Sequence, residues 1–181
     1  MATEVGSPGH DLSRGTASTR ALTVADLDAV LAVQRAAYGD AYQESASVLA
    51  RKLALAPGAC WIAELDGRGV GYVLAHPWAG MEPPALHAEL PCLPEGERLA
   101  FLHDLAVSPE ARGAGVAAVL LDRVRDWCTR SGLRRMVLVA LEDAVAFWLR
   151  HDFVLIDQPV PPSYGDGARL MAARQSSSRP S

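Results

Sequence analysis

The chain has 181 residues, of which 50% are hydrophobic and 21% charged, and its formal net charge is −4. This length is typical of one domain, and the balance of residue types is that of an ordinary globular protein. The negative charge argues against a large nucleic-acid-binding face, which would need a cluster of basic side chains, so we expect no nucleic-acid partner.

Both ends of the chain are polar and rich in small residues and proline. We therefore predict disordered tails over residues 1–17 and 175–181, with a single domain over residues 18–174. No apolar run reaches the length of a signal-peptide core or a membrane span, so no membrane association is expected. Three widely spaced cysteines without a CxxC pair favour a reducing compartment, and we predict a cytoplasmic protein.

Two helices are predicted near the start of the domain. Thr23 and Asp26 have the spacing of a capping box, with Asp in place of the usual Glu or Gln, and the apolar spacing that follows predicts a helix ending before Gly39. A second helical pattern covers residues 45–56 and stops at Pro57.

The period of the apolar residues changes after the second helix. Residues 60–65 and 70–76 are short apolar runs around an Asp-Gly turn, which predicts a β-hairpin. Residues 77–97 are rich in proline, so we expect an irregular surface segment that contributes to an acceptor site. Its acidic residues could attract a cation, although such loops are usually simply solvated: Glu82, Glu89, Glu95 and Glu97.

A strand–helix–strand unit forms the middle of the predicted fold. Residues 99–107 are typical of a buried strand, residues 115–130 have apolar side chains at helical spacing, and residues 136–141 are almost wholly apolar. Such a βαβ unit has parallel strands joined by a right-handed crossover. A short helix and two strands complete the prediction: residues 144–150, 153–157 and 168–173.

The turn that enters the helix of this unit has the chemistry of a phosphate site. It comprises Arg112, Gly113, Ala114, Gly115, Val116 and Ala117. The first N–H groups of a helix lack internal acceptors and lie at the positive end of its dipole, and the glycines allow a ligand to approach closely. Arg112 could add charge or brace the loop. The same glycines could instead be simple turn chemistry, and neither a Walker loop nor a three-glycine dinucleotide fingerprint is present.

These residues resemble the Gcn5-related N-acetyltransferase (GNAT) family. Arg112-x-x-Gly115-x-Ala117 matches the family signature Q/R-x-x-G-x-G/A, and residues 102–113 look like its fourth strand and the loop that follows. Residues 144–153 resemble its second motif, of the form A-x-x-FY-x-x-x-GF. The resemblance covers the predicted domain. It implies an α/β fold with a mixed, mostly antiparallel sheet, splayed between strands 4 and 5 and flanked by helices.

The resemblance also implies a function. Family members transfer an acetyl group from acetyl-CoA, without a metal, to a primary amine of a small molecule or protein by direct attack in a ternary complex. The pantetheine arm of this cosubstrate would pair with Leu105, Ala106 and Val107, and its pyrophosphate would bind the turn from Arg112 to Ala117. A main-chain N–H near Val107 would stabilise the oxyanion. Many relatives are dimers, so a homodimer is a further expectation.

His103 and Asp104 are candidates for the group that takes the proton from the amine. Because they are adjacent on a strand, we expect their side chains to point to opposite faces, so that only one reaches the cleft. The strand resembles that of arylalkylamine N-acetyltransferase, where an imidazole at the position of His103 serves in proton removal, and this favours His103. The alternatives are a hydrogen-bonded core histidine and a carboxylate that fixes a loop.

The second motif departs from the family pattern. The tyrosine often credited with protonating the leaving thiolate aligns with Trp148, whose indole has no titratable hydroxyl. Tyr164 is a candidate substitute, with a packed or solvent-facing loop residue as the alternative. A CoA thiolate can leave with little help. An acetyltransferase is therefore the main hypothesis, with a non-catalytic acyl-CoA-binding module of the same fold and a nucleotide-binding α/β domain as rivals.

Overall fold

The computed structural model describes residues 16–174 except Glu97. Apart from Thr16 and Ala17, the predicted tails at residues 1–17 and 175–181 lie outside the described residues, so the domain boundaries remain a prediction. Of the helices in the described part of the chain, none is long and apolar enough to cross a membrane.

One seven-stranded sheet is the framework of the described residues. Its strands in chain order are β1 (Ser18–Ala21), β2 (Cys60–Leu65), β3 (Arg68–Ala79), β4 (Arg98–Val107), β5 (Met136–Ala140), β6 (Phe153–Leu155) and β7 (Arg169–Ala173). Their order across the sheet is β1-β2-β3-β4-β5-β7-β6. Only the β4–β5 pairing is parallel among the described strands, which confirms the predicted mixed, mostly antiparallel sheet.

Helices cover both faces of the sheet. They are α1 (Leu27–Tyr38), α2 (Ala46–Leu55), α3 (Val116–Arg130) and α4 (Val145–Arg150). α1 and α2 pack on one face, whereas α3 packs on the other. The capping box of Thr23 and Asp26 forms as predicted, and Ser45 caps α2 by accepting a hydrogen bond from Val48 N.

Two strands differ from the prediction. The sequence pattern does not predict β1, because this edge strand is largely exposed and shows no apolar alternation. β3 continues beyond its predicted end at residue 76, and Pro77 pairs with Ala100 of β4. The irregular segment between β3 and β4 therefore starts at residue 80 rather than at residue 77.

The pairing of β3 with β4 contains a β-bulge at His103. Leu74 lies opposite Asp104 and Ala75 lies opposite Leu102, so His103 has no partner across the ladder. Such an extra residue shifts the alternation of side chains that follows it. His103 and Asp104 therefore both point to the face covered by α1 and α2, where their hydrogen-bond partners lie. The prediction that they point to opposite faces is wrong.

β4 and β5 separate soon after they meet. Their parallel pairing is limited to Ala100 with Met136 and Phe101 with Val137. The later residues of β4 pair only with β3, and those of β5 pair only with β7. The sheet therefore opens into a wedge between these two strands, which confirms the predicted splayed architecture.

Candidate active site

A cavity of about 560 Å³ occupies the wedge between β4 and β5. It is lined by the N-terminus of α3 and by α4 on one face of the sheet, and by α1, Tyr42, Leu86 and Tyr164 on the other. All of the predicted site residues line this cavity except Ala114. The wedge thus joins the glycine turn to the two acid–base candidates on β4.

Main-chain groups of β4 face the wedge at alternate residues. Ser108 N donates to Val70 O over 2.8 Å, so these residues form a hydrogen-bonded pair. Such pairs alternate with non-hydrogen-bonded pairs along an antiparallel ladder. The N–H and C=O groups of Leu105 and Val107 therefore point away from β3 and into the wedge. Ala106 faces β3 with its main-chain N–H and C=O groups, although the residue also lines the cavity.

The glycine turn presents an open face to the cavity. Gly113 and Gly115 have φ angles of 80° and 78°, a conformation that other residues rarely adopt. A Cβ atom added at either position would meet nothing within 4 Å. The space beside these two main-chain positions is therefore available to a ligand, and a side chain there would enter it.

Some main-chain N–H groups of the turn are already engaged. Arg112 N donates to Pro109 O and Ala114 N donates to Ala111 O, so neither amide is free for a ligand. The first helical bond of α3 runs from Val119 N to Gly115 O. The earlier N–H groups of the helix lack a main-chain acceptor and lie at the positive end of its dipole: Val116, Ala117 and Ala118.

Asp104 is surrounded by donors where it lines the cavity. Its carboxylate accepts hydrogen bonds from Gln34 Nε2 and the Tyr38 hydroxyl, each over 3.0 Å, and a short one from the Tyr72 hydroxyl. Burial raises the pKa of Asp104 and outweighs these bonds, which favour the carboxylate. Asp104 is thus the cavity-lining carboxyl whose affinity for a proton is increased.

His103 belongs to a buried charged cluster. Its Nε2 lies 2.6 Å from Lys52 Nζ and 3.0 Å from Glu44 Oε2, and Lys52 Nζ lies 2.5 Å from Glu44 Oε1. The side chain of His103 is 0% exposed. Burial lowers the pKa of Lys52, and His103 and Lys52 together hold the pKa of Glu44 well below its usual range despite burial. The Nε2 atom of His103 is therefore occupied by protein partners, whereas its buried Nδ1 has no hydrogen-bond partner among the described residues.

Tyr164 is a packed loop residue. Its side chain is buried, and its hydroxyl donates to Pro84 O over 2.9 Å. Burial raises the pKa of this hydroxyl, and the negative charges of Glu44 and Asp104 add to the effect. Tyr164 therefore fits the alternative of a packed loop residue, although it also lines the cavity. Trp148, on the facing wall, is buried against Phe147 and Phe153.

Sequence reasoning missed the partners of Asp104. Gln34 and Tyr38 lie four residues apart on one face of α1, and both contact Asp104. A polar residue within the apolar face of a predicted helix was the available signal, because buried polar groups need partners. Nothing in the sequence pattern marks Tyr72 of β3 as the third partner. No group of three or more metal-ligating side chains is found among residues 16–174 without Glu97.

Comparison with known proteins agrees with this geometry. The family model described as "Acetyltransferase (GNAT) family" matches residues 27–153. The chain therefore belongs to the GNAT family of acetyltransferases, a class whose members are generally acyltransferases. No curated protein sequence matches the chain at a significant level.

Solved structures with the same fold include several CoA complexes. The GNAT-like decarboxylase GphF in complex with isobutyryl-CoA is 24% identical, with a TM-score of 0.71 over 86% of this chain and 97% of that chain. Naa50 of Arabidopsis thaliana, in complex with the bisubstrate analogue CoA-Ac-MVNAL, is 16% identical, with a TM-score of 0.66 over 88% of this chain and 99% of that chain. The PaiA N-acetyltransferase of Thermoplasma acidophilum, bound to coenzyme A, is 15% identical, with a TM-score of 0.66 over 87% and 98%. At these identities the likeness shows the fold.

Proposed function

We propose that the chain is an N-acetyltransferase that moves an acetyl group from acetyl-CoA to a primary amine of a small molecule or protein. The observation that carries this proposal is the wedge between β4 and β5, which joins a strand whose main-chain groups at Leu105 and Val107 face the cavity to an open glycine turn. An acyl-CoA ligand is supported by the neighbours solved with CoA, isobutyryl-CoA and a CoA analogue.

Acetyl-CoA would lie along β4 and end at α3. Its pantetheine amides would pair with the N–H of Leu105 and with the main chain of Val107, which face the wedge, while Leu105 O already accepts a hydrogen bond from the Tyr38 hydroxyl. Its pyrophosphate would lie against Gly113 and Gly115 and accept hydrogen bonds from the free N–H groups at the start of α3, where the helix dipole favours an anion. Arg112, an exposed side chain at the cavity edge, would add positive charge.

The reaction would be a direct attack within a ternary complex. The amine nitrogen bonds to the thioester carbonyl carbon, the C–S bond breaks, and the CoA sulfur leaves as a thiolate, which a thiol pKa of about 8.5 allows without a protein acid; the thiolate then takes a proton from solvent. The N–H of Val107 would stabilise the oxyanion that forms on the carbonyl oxygen, since a preorganised donor is worth several kcal/mol in such a site. The proton of the amine remains to be taken up.

Asp104 is the group we assign to that proton. The Tyr38 hydroxyl lies 2.7 Å from Leu105 O and 3.0 Å from Asp104 Oδ1, but it has a single proton to donate. When Tyr38 donates to Leu105 O, a protonated Asp104 can in turn donate to the Tyr38 oxygen. This arrangement stabilises the protonated acid, consistent with the raised pKa of Asp104.

The contacts of His103 and Tyr164 favour other roles. His103 holds Lys52 and Glu44 behind the cavity, and we propose that it positions Asp104 through the fold of β4 rather than by touching the amine. Tyr164 already donates its proton to Pro84 O, which makes it a poor acid for the thiolate. The leaving group would therefore depart without a dedicated protein acid.

The proposal is tested with purified protein in two measurements. Calorimetry with acetyl-CoA reports binding, and release of free thiol in the presence of primary amines reports transfer. Binding together with amine-dependent thiol release is the expected result. Binding without release would favour the non-catalytic acyl-CoA-binding module, and absence of binding would remove the acyl-CoA proposal altogether.

A further inference from the structure

One part of the cavity lies beside Asp104 on the α1–α2 face of the sheet. We call it the acceptor chamber and define it by Tyr38, Tyr42, Leu86, Asp104 and Tyr164, which all line the cavity on the α1–α2 face of the sheet. These residues come from five different segments, so the chamber exists only where those segments meet. The way in which the segments are joined limits what can enter.

Two of the loops around the chamber touch each other. The Tyr42 hydroxyl, in the connection between α1 and α2, lies 2.8 Å from the position that a Cβ atom on Gly165 would occupy. Gly165 belongs to the loop between β6 and β7 and has a φ angle of 81°. A larger residue at this position would collide with Tyr42. The Tyr42 side chain therefore bridges the two loops at this point.

Residues 80–96 close the chamber from a third side. Ser163 Oγ accepts a hydrogen bond from Leu86 N over 3.0 Å, and the Tyr164 hydroxyl donates to Pro84 O. Further along the chain, His87 N donates to Glu44 Oε1 over 3.0 Å. These bonds attach the segment both to the β6–β7 loop and to the connection between α1 and α2. The chamber is therefore walled by segments that hold one another in place.

The lining of the chamber is suited to a cation with an apolar body. Three tyrosine rings and a leucine side chain provide apolar and aromatic surface, and aromatic faces attract ammonium groups. The carboxyl of Asp104 lies in the same compartment. Burial first, and then the nearby acidic groups of Glu44 and Asp104, raise the pKa of the Tyr164 hydroxyl, which places both acidic groups close to the chamber wall.

We propose that the acceptor is a compact primary amine with an apolar or aromatic body, and that the amino groups of polypeptides are excluded. This inference rests on the proposed acetyl transfer and narrows its acceptor class. The ammonium group would lie at Asp104, and the body of the amine would lie among Tyr38, Tyr42 and Tyr164. A peptide amine would need its flanking main chain to pass through the contact between Tyr42 and Gly165.

The test compares 2-phenylethylamine with an unblocked pentapeptide that contains an internal lysine. Thiol release gives kcat/KM for each acceptor, and calorimetry on the chain saturated with CoA gives their binding without turnover. We expect 2-phenylethylamine to be preferred by about a hundredfold or more, the scale that an ill-fitting substrate suffers in a shaped pocket. Tyr42→Ala removes the contact between Tyr42 and Gly165 and should reduce this preference at least about tenfold. Tyr42→Phe keeps the aromatic ring and should retain the preference.

The outcomes separate this inference from the proposed function. If the pentapeptide is acetylated as well as 2-phenylethylamine or better, the compact acceptor class is overturned and acetyl transfer stands. If acetyl-CoA binds but neither amine is acetylated, and 2-phenylethylamine does not bind the CoA-saturated chain, then the proposed acetyl transfer and the compact acceptor class are both overturned. An unchanged preference in Tyr42→Ala would also overturn the closed chamber as the cause of selectivity.

Discussion

Around Asp104, three protein donors and a raised pKa occur together. Hydrogen bonds from Gln34, Tyr38 and Tyr72 would by themselves favour the charged carboxylate, yet burial shifts the balance toward the neutral acid. A buried carboxyl with a raised pKa binds a proton more readily than an exposed one. Proton transfer by a positioned group of this kind contributes roughly 10²- to 10⁴-fold to a rate.

Replacing Asp104 by Asn should therefore lower kcat by about 10²-fold or more while leaving acetyl-CoA binding unchanged. The wild-type rate should rise as the pH passes the raised pKa of Asp104, because the carboxylate is the form that takes the proton. This rise should be absent in Asp104→Asn. Initial rates measured against pH check the prediction. The titratable groups that face Asp104 are the hydroxyls of Tyr38 and Tyr72 and the cluster formed by Glu44, Lys52 and His103.

A matched control for this substitution is Asp143→Asn. Asp143 is an exposed carboxylate on the facing wall of the same cavity. The Asp143→Asn variant should keep both the rise of the rate with pH and most of kcat. If Asp104→Asn retains the wild-type pH profile, or if Asp143→Asn loses it, the proton passes to another group.

At the scale of elements, the strongly periodic segments could be predicted from the sequence. The helix stripes, the capping box and the Asp-Gly hairpin are encoded by neighbours in the chain, so a local pattern identifies them. The bulge at His103 could not be predicted, because it depends on how β4 registers against β3. Because of this single inserted residue, the side chains of His103 and Asp104 lie on the same face of the sheet and not on opposite faces, as the sequence pattern predicts.

The two ends of α3 offer a matched test of the glycine turn. Gly115 precedes the helix with a φ angle of 78°, and Gly132 follows it with a φ angle of 66°; a Cβ atom at either would meet nothing within 4 Å. Substitution by Glu should impose a similar backbone cost at both, on the order of 1 kcal/mol. Only Gly115→Glu puts a carboxylate beside the proposed pyrophosphate position.

Acetyl-CoA affinity should accordingly fall by more than about tenfold in Gly115→Glu and remain near the wild-type value in Gly132→Glu. Calorimetry measures the affinity, and urea unfolding checks that the two variants are equally folded. Equal affinities in the two variants would mean that the pyrophosphate lies elsewhere and that the glycine turn is only a way of starting the helix.

At the scale of the whole molecule, the core contains a histidine that remains neutral. His76 is 1% exposed, lies among the rings of Trp78, Phe101 and His103, and its Nδ1 donates to Pro77 O over 3.0 Å. Burial lowers the pKa of His76 from 6.5 to about 4, and the nearby positive charges of His103 and Lys52 add to the effect. The unfolded chain therefore binds a proton at a pH where the native protein does not.

The free energy of unfolding should fall as the pH drops from 6.5 to 4, because a shift of this size corresponds to about 3 kcal/mol. The contribution is fully present above the unfolded pKa and is lost as the pH falls through the folded one. His76→Phe, which keeps an aromatic ring in the core, should reduce this slope by about the same amount. Urea unfolding of both proteins across this range measures it, and identical slopes would contradict the prediction.

The candidate site combines residues that are close in the chain with residues that are distant in it. The signature from Arg112 to Ala117 is contiguous in sequence, so the glycine turn could be predicted from it. The surroundings of Asp104 could not, since Gln34 and Tyr72 are distant in the chain and meet it only in the folded sheet. The cluster around His103 likewise joins Glu44 and Lys52 from another part of the chain.

The early separation of β4 from β5 gives the sheet an exposed edge in its interior. A strand edge with free N–H and C=O groups normally invites pairing with other protein chains and leads to aggregation. Here the edge formed by Leu105 and Val107 lies at the bottom of a cavity. The strand of another protein would have to fit its side chains between β4 and β5 to reach this edge. The pantetheine arm of the proposed acetyl-CoA carries amides without such side chains, so the wedge would favour it over a strand as the partner of this edge.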